Sequence, residues 1–233
     1  MEAGAATNGG LTTADEETNR QSRRKEGGPS LNSLAIMRKA TTPTNISSVE
    51  IKDWRRVVYE GVLLENNTQK FWVDEKLHKN CFLVLPKAFH IAGGDEESCW
   101  KWITVKETCF RSPVDIPVPR LVQLSWVYMQ GKFRTSALSP NTTYEVAFVV
   151  KLSRNSYKWP LPVNIELDLP DGNKLIRTEN LERKPKEKWM KLRAGEFMMD
   201  PKTVGTIVFT LHETCQMYKS GLILKGILIH PKN

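Results

Sequence analysis

Between Val163 and Leu169 the chain alternates without exception: Val163, Ile165, Leu167 and Leu169 are apolar, and Asn164, Glu166 and Asp168 between them are polar. Successive side chains of a β-strand point to opposite faces, so this spacing predicts a strand with one face on a core and the other in water. The same period of two recurs in Val122, Leu124, Trp126 and Tyr128, in Tyr144, Val146, Phe148, Val150 and Leu152, and in Ile207, Phe209 and Leu211. Gly221 to Ile229 is a nearly continuous apolar run, broken by Lys225 and Gly226, which suits a central strand. His230 falls by period on the face of Leu222, Leu224 and Leu228, where a structural histidine is expected. Pro170-Asp171-Gly172 is a hairpin signal after a strand, and Ser139-Pro140-Asn141 and Asp200-Pro201 also break the pattern. Many short strands separated by turns predict an all-β fold, a jelly-roll β-sandwich.

The first 50 residues contain no Phe, Trp or Tyr, whereas all 20 aromatics of the chain follow Glu50. A polar segment of that kind cannot bury enough surface to offset its ordering entropy. Residues 1–50 are therefore expected to be a disordered N-terminal tail, with Arg20, Arg23, Arg24 and Lys25 as a solvated basic cluster. Residues 51–80 are expected to be a linker with a short helix capped at Ser47 or Ser48, and residues 81–233 the folded domain.

The tail carries six basic and six acidic residues. Of the 34 Lys/Arg and 26 Asp/Glu in the whole chain, this leaves 28 against 20 after residue 50, so the net charge of +8 belongs to the folded part. Such an excess admits an anionic partner, RNA included. The start of the chain lacks an apolar core and carries Glu2, unlike a signal peptide, and no apolar run is long enough to span a membrane. Cys81, Cys99, Cys109 and Cys215 include no closely spaced pair, which predicts reduced thiols and a cytoplasmic or nuclear protein.

No catalytic signature emerges. The sequence has no nucleophile elbow, zinc-protease helix, phosphate-binding loop or dinucleotide fingerprint, and His78, His90, His212 and His230 are scattered. The expectation is a protein that is not an enzyme, with no catalytic residues, no metal site and no cofactor.

Two segments combine aromatic and polar residues. Ile91 to Trp102 carries Gly93-Gly94, then Asp95, then Trp100 and Trp102 two residues apart. His212 to Gly221 joins two strands and carries Glu213, Tyr218 and Lys219. A pyranose needs an aromatic ring for its apolar CH face and directed acceptors and donors for its hydroxyls, and a carboxylate supplies charge-assisted ones. Asp95, Trp100, Trp102, Glu213, Tyr218 and Lys219 are therefore the candidate carbohydrate-binding residues.

Four stretches in series resemble the phloem protein 2 family, whose lectin domain is shared with the Nictaba-like plant lectins. They are Gly61–Leu64 with Phe71–Asp74 and Cys81-Phe82; Phe89–Asp95 to Trp100-Lys101-Trp102; Leu124–Lys132 with Leu138–Pro140 and Tyr144–Val146; and Gly195–Phe197 with Lys219–Gly221, Lys225-Gly226 and His230-Pro231. The resemblance implies a jelly-roll sandwich, a homodimer and a phloem location. It also implies recognition of N-acetylglucosamine oligomers or N-glycan cores on glycoproteins, with Trp100 at a family sugar-binding tryptophan. Tyr218 stands where many members have Trp. Gly93-Gly94 departs from the family's Trp-Gly, and Ser98-Cys99 from its Arg-Tyr. The alternatives are an RNA-binding phloem protein and a structural phloem protein cross-linked through its cysteines.

Overall fold

The computed structural model describes residues 28–40, 54–107 and 113–232. Among these, thirteen strands pair antiparallel into two sheets: β1 (Val62–Leu64), β2 (Gln69–Val73), β3 (Asn80–Val84), β4 (His90–Ile91), β5 (Trp100–Glu107), β6 (Val114–Leu121), β7 (Val127–Arg134), β8 (Thr142–Tyr157), β9 (Val163–Asp168), β10 (Lys174–Glu179), β11 (Met190–Met199), β12 (Thr206–Glu213) and β13 (Ser220–Pro231). The larger sheet runs β1-β2-β3-β13-β6-β5, with β8 on the other side of β13 and β11 beyond β8. The smaller runs β10-β9-β12-β7-β4.

The sheets face each other across one core. Tyr144, Val146, Phe148, Val150 and Leu152 of β8 meet Val163, Ile165, Leu167, Ile207, Phe209 and Leu211 of the smaller sheet, all buried. In β9 the polar alternates are less buried and point out, so the period of two in its sequence is the period of burial. Gly131 lies beneath the Phe209 ring, where a Cβ would stand 2.3 Å from Cε2. Each such buried aromatic or aliphatic side chain contributes about 1.5–3 kcal/mol.

Four sequence expectations need correction. Part of the supposed tail folds: α1 (Leu31–Met37) buries Ile36 and Met37 in the core. Ser30 caps it by accepting from the Ser33 amide, and the buried Ser33 hydroxyl donates to Asn80 Oδ1 at 2.7 Å. Asn80 also donates to the Ala137 carbonyl at 2.8 Å, and the Tyr144 hydroxyl donates to the Asn80 carbonyl at 2.9 Å. A short aliphatic helix tied down by a satisfied polar network does not need an aromatic. The remaining tail, with its basic cluster and Ser47 and Ser48, lies outside the described residues.

Secondly, residues 54–80 are not a linker. They form α2 (Trp54–Glu60) and strands β1 and β2, with Phe71 and Val73 in the core. The turn between these strands holds Glu65, Asn66 and Asn67 at positive φ, a conformation asparagine tolerates well. Thirdly, residues 122–126 form a loop, with Val122 and Trp126 exposed, because β6 ends at Leu121. Finally, β13 contains a bulge between Leu224 and Gly226. It puts Leu222 and Leu224 on the core but turns His230 outward, where Nε2 lies 3.0 Å from Glu145 Oε1. Gly226 has φ +147, and a Cβ there would stand 2.2 Å from the Val84 carbonyl oxygen.

Burial pushes the Cys81 thiol up to about 12, with the nearby Asp74 charge adding to it. The thiolate is the nucleophile, so Cys81 should resist iodoacetamide at pH 8 in the folded protein and react only on unfolding. Mass spectrometry of the labelled peptides checks this; labelling of native Cys81 at the rate of half-buried Cys99 or Cys215 would contradict it.

Candidate functional site

Strand direction gathers one set of loops at one end of the sandwich. β5, β7, β9, β11 and β13 leave that end, while β4, β6, β8, β10 and β12 arrive there. The connections 92–99, 122–126, 158–162, 180–189 and 214–219 therefore lie together. Both aromatic-polar segments belong to this end.

The 92–99 loop is built over Trp100. The Trp100 ring is buried, 1% exposed, and its Nε1 donates to the Ala92 carbonyl at 3.0 Å. The expectation that Trp100 stacks on a sugar is thereby corrected: the ring is the floor of the loop, with no face open to a ligand. Trp102 lies on β5, the edge strand of the larger sheet among the described residues, and is 40% exposed. Its Nε1 donates to the Gly94 carbonyl at 3.3 Å, which leans the indole against the loop. Gly93 takes φ +66, a turn that glycine makes without strain.

Trp102 and Asp95 meet in a groove of about 470 Å³, also lined by Lys87, Phe89, His90 and Glu96. Two aromatic rings, two carboxylates, an imidazole and an ammonium thus converge on one opening. Sequence reasoning missed His90 and Glu96. Their signal was position: His90 begins the two-residue strand that leads into the glycine turn, and Glu96 lies just beyond that turn.

Tyr218 lies in a second groove of about 480 Å³, with Gln123, Tyr157, Lys158, Gln216 and Met217. Tyr218 is 60% exposed. The two grooves are joined through the backbone, since the Cys99 carbonyl accepts from the Val122 and Gln123 amides at 2.8 and 3.4 Å. Tyr157 and Gln123 lay in segments that period-two reading assigned to regular strand or left unassigned.

Glu213 and Lys219 are brought together; Lys219 belongs to the lining of the second groove, but its side chain is turned into the protein. They are 2% and 1% exposed and form an ion pair. Lys219 Nζ also donates to the carbonyls of Ser125, Cys215 and Met217, the last two at 2.8 and 3.0 Å. Burial pushes the lysine pKa down, while the carboxylate and three carbonyls favour its charged form. One ammonium thus ties the 214–219 loop to the 122–126 loop. Leu124 and Lys219 add backbone bonds at 2.9 and 3.2 Å. The expected ligand contacts at Glu213 and Lys219 are corrected to a clasp that positions Tyr218 and Gln123. Of the six expected residues, Asp95 and Trp102 share one groove, Tyr218 and Lys219 line the other, and Trp100 and Glu213 are buried.

Among the described residues, no group of three or more His, Cys, Asp or Glu is arranged to hold a metal. No described helix is long and apolar enough to cross a membrane.

The sequence profile of the phloem protein 2 family matches residues 79–231. The Arabidopsis thaliana protein PHLOEM PROTEIN 2-LIKE A1 is 37% identical over 206 residues, covering 86% of this chain and 80% of that one. A protein of Luffa acutangula named as a lectin is 32% identical over 176 residues, covering 75% of this chain and 82% of its own. Among solved structures, the CBM22-1 xylan-binding domain of Paenibacillus barcinonensis Xyn10C superposes with a TM-score of 0.36 at 16% identity, covering 63% of this chain and 87% of that one, too loosely to argue from. With the profile spanning β13 and every strand of the smaller sheet, the chain belongs to the phloem protein 2 family.

Proposed function

We propose that this chain is a non-catalytic lectin that binds N-acetylglucosamine oligomers or the N-glycan cores of glycoproteins in the groove of Trp102, Asp95, Glu96 and His90. The observation that carries the reading is a half-open indole and two carboxylates lining one loop-built groove. The indole offers a stacking face for the CH side of a pyranose, and the carboxylates accept from its hydroxyls. The lectin from Luffa acutangula supports the same reading. An open groove of this size gives weak binding per site, so avidity in a homodimer supplies the working affinity.

A glycan array tests it. The wild type should retain chitin oligomers or N-glycan cores, and Trp102→Ala should lose about tenfold or more in affinity, as expected for a removed stacking ring. Asp95→Asn should weaken binding by less, because the amide still accepts a neutral hydrogen bond. A wild type that retains no glycan overturns the proposal.

The second reading is RNA binding, favoured by the basic excess and by Trp189, over which Lys151 and Lys225 stand at 4.9 and 5.5 Å from the ring centroid. In the same experiment, RNA retention that collapses between low and moderate salt, with glycans unbound, would select that reading.

A further inference from the structure

The exposed apolar side chains of this molecule are not scattered. Ten large ones stand open among the described residues, and six of them, Val122, Trp126, Tyr157, Leu161, Met217 and Tyr218, each 39–60% exposed, belong to the loop end. They stand on the 122–126, 158–162 and 214–219 connections and on the last residue of β8. Val122, Tyr157, Met217 and Tyr218 share the second groove, and Trp126 follows Ser125, whose carbonyl accepts from the Lys219 ammonium. The clasp draws the charges of Glu213 and Lys219 inward and leaves the apolar tips of these loops outside. A concentration of this kind marks contact with a protein or with a membrane.

Cations border the patch. Lys158 Nζ stands 4.9 Å from the centre of the Tyr157 ring, and Lys186 Nζ donates to the Ser156 carbonyl at 2.9 Å. Both lysines line a neighbouring hollow of about 260 Å³ with Tyr157, Leu181 and Glu182. The 158–162 and 180–189 connections together hold Lys158, Arg183, Lys184, Lys186 and Lys188 against Glu182 and Glu187. Lys184 is taken up by Glu179 of β10, which leaves four cations facing two carboxylates. The 92–99 loop carries Asp95, Glu96 and Glu97 instead, the first two in the first groove. The loop end is therefore divided: acidic at the first groove, apolar with a basic border at the second.

This composition selects the partner. Val122, Leu161 and Met217 offer nothing to a sugar hydroxyl, and among the described residues the lining of the second groove holds no carboxylate. A stable protein interface needs a close-fitting patch of about 800 Å² on each side. Here the side chains stand on separate loop tips around two hollows. Tyrosine rings with a polar end, aliphatic tips beside them and a lysine border match the surface of an anionic bilayer, where such rings sit at headgroup level and ammonium groups meet phosphate.

We infer that the loop end carries a membrane-surface site: Tyr157, Leu161, Met217 and Tyr218 enter the headgroup region of an anionic lipid bilayer, and Lys158 and Lys186 meet its charged headgroups. The chain lies on the bilayer and does not span it. Flotation of the full chain with vesicles of phosphatidylcholine alone, or of phosphatidylcholine with about a quarter phosphatidylserine, tests this. Binding should require phosphatidylserine and should weaken about tenfold or more between low and physiological salt. The double variant Leu161→Ser with Met217→Ser should weaken it about tenfold or more, and so should Lys158→Gln with Lys186→Gln. Both double variants should keep the wild-type thermal midpoint, which reports an intact fold. The vesicles carry no sugar, so failure of the sugar groove leaves the result unaffected. A wild type that does not float with phosphatidylserine vesicles overturns the inference, as does binding that neither double variant weakens. A wild type that leaves vesicles unbound and sediments as a dimer, which Leu161→Ser with Met217→Ser turns into a monomer, overturns it in favour of a second copy of the chain.

Discussion

Lys219→Met is expected to lower stability by about 3–5 kcal/mol, the cost of leaving a buried carboxylate without its partner. Glu213 has no water to turn to, being 2% exposed, and the carbonyls of Ser125, Cys215 and Met217 lose their shared donor. Urea unfolding should show the midpoint falling with an unchanged slope. The double variant Glu213→Leu with Lys219→Met should recover part of the loss, because the desolvated charge is gone while the carbonyls stay unpaired. If Lys219→Met were as stable as wild type and only glycan binding fell, the ammonium would be reaching the ligand and the clasp would be wrong. The destabilisation should also blunt any contribution of Tyr218, whose loop the ammonium anchors.

Trp100→Ala and Trp102→Ala should separate two roles that the sequence presents as one. Removing Trp100 empties core volume and breaks its bond to Ala92, an expected loss of about 3–5 kcal/mol. Trp102→Ala removes a half-open ring and should move the unfolding midpoint by only a few degrees, consistent with a surface change of about 1 kcal/mol or less. Thermal unfolding paired with glycan titration distinguishes them. Loss of binding by Trp100→Ala should track unfolding; loss by Trp102→Ala should occur in a folded protein. A Trp100→Ala variant of wild-type stability that failed to bind sugar would restore Trp100 as a contact residue.

These two tryptophans show where sequence reading stops. Period two placed both on one face, and both do sit on β5. Exposure depends on what lies above each ring, and that is the 92–99 loop, whose path is set by Gly93 and by the Trp100 bond to Ala92. Glu213 and Lys219 pose the same problem. A carboxylate and an ammonium in a polar loop look solvated in one dimension, and only the closing of 214–219 onto Ser125 buries them. His230 was misplaced for a different reason. The bulge at Gly226 shifts the period by one residue, and a glycine in an apolar run does not announce whether it packs or bulges. Tyr218 was legible as an open residue because it lies in a polar loop between two strands.

By itself the sequence determined the sandwich: apolar residues at every second position along β8, β9 and β12, with strictly polar alternates in β9, permit one face inward and one outward, and hydrophobic burial does the rest. It also determined which loops would be rich in aromatic and acidic groups. The tertiary structure alone decided that α1, β1 and β2 join the folded body, which polar residues turn inward as a clasp, and that His90 and Trp102, on different sheets, line one groove. The physical reason is that alternation is a local property of the backbone, whereas burial and juxtaposition depend on long-range pairing between segments that no short window contains.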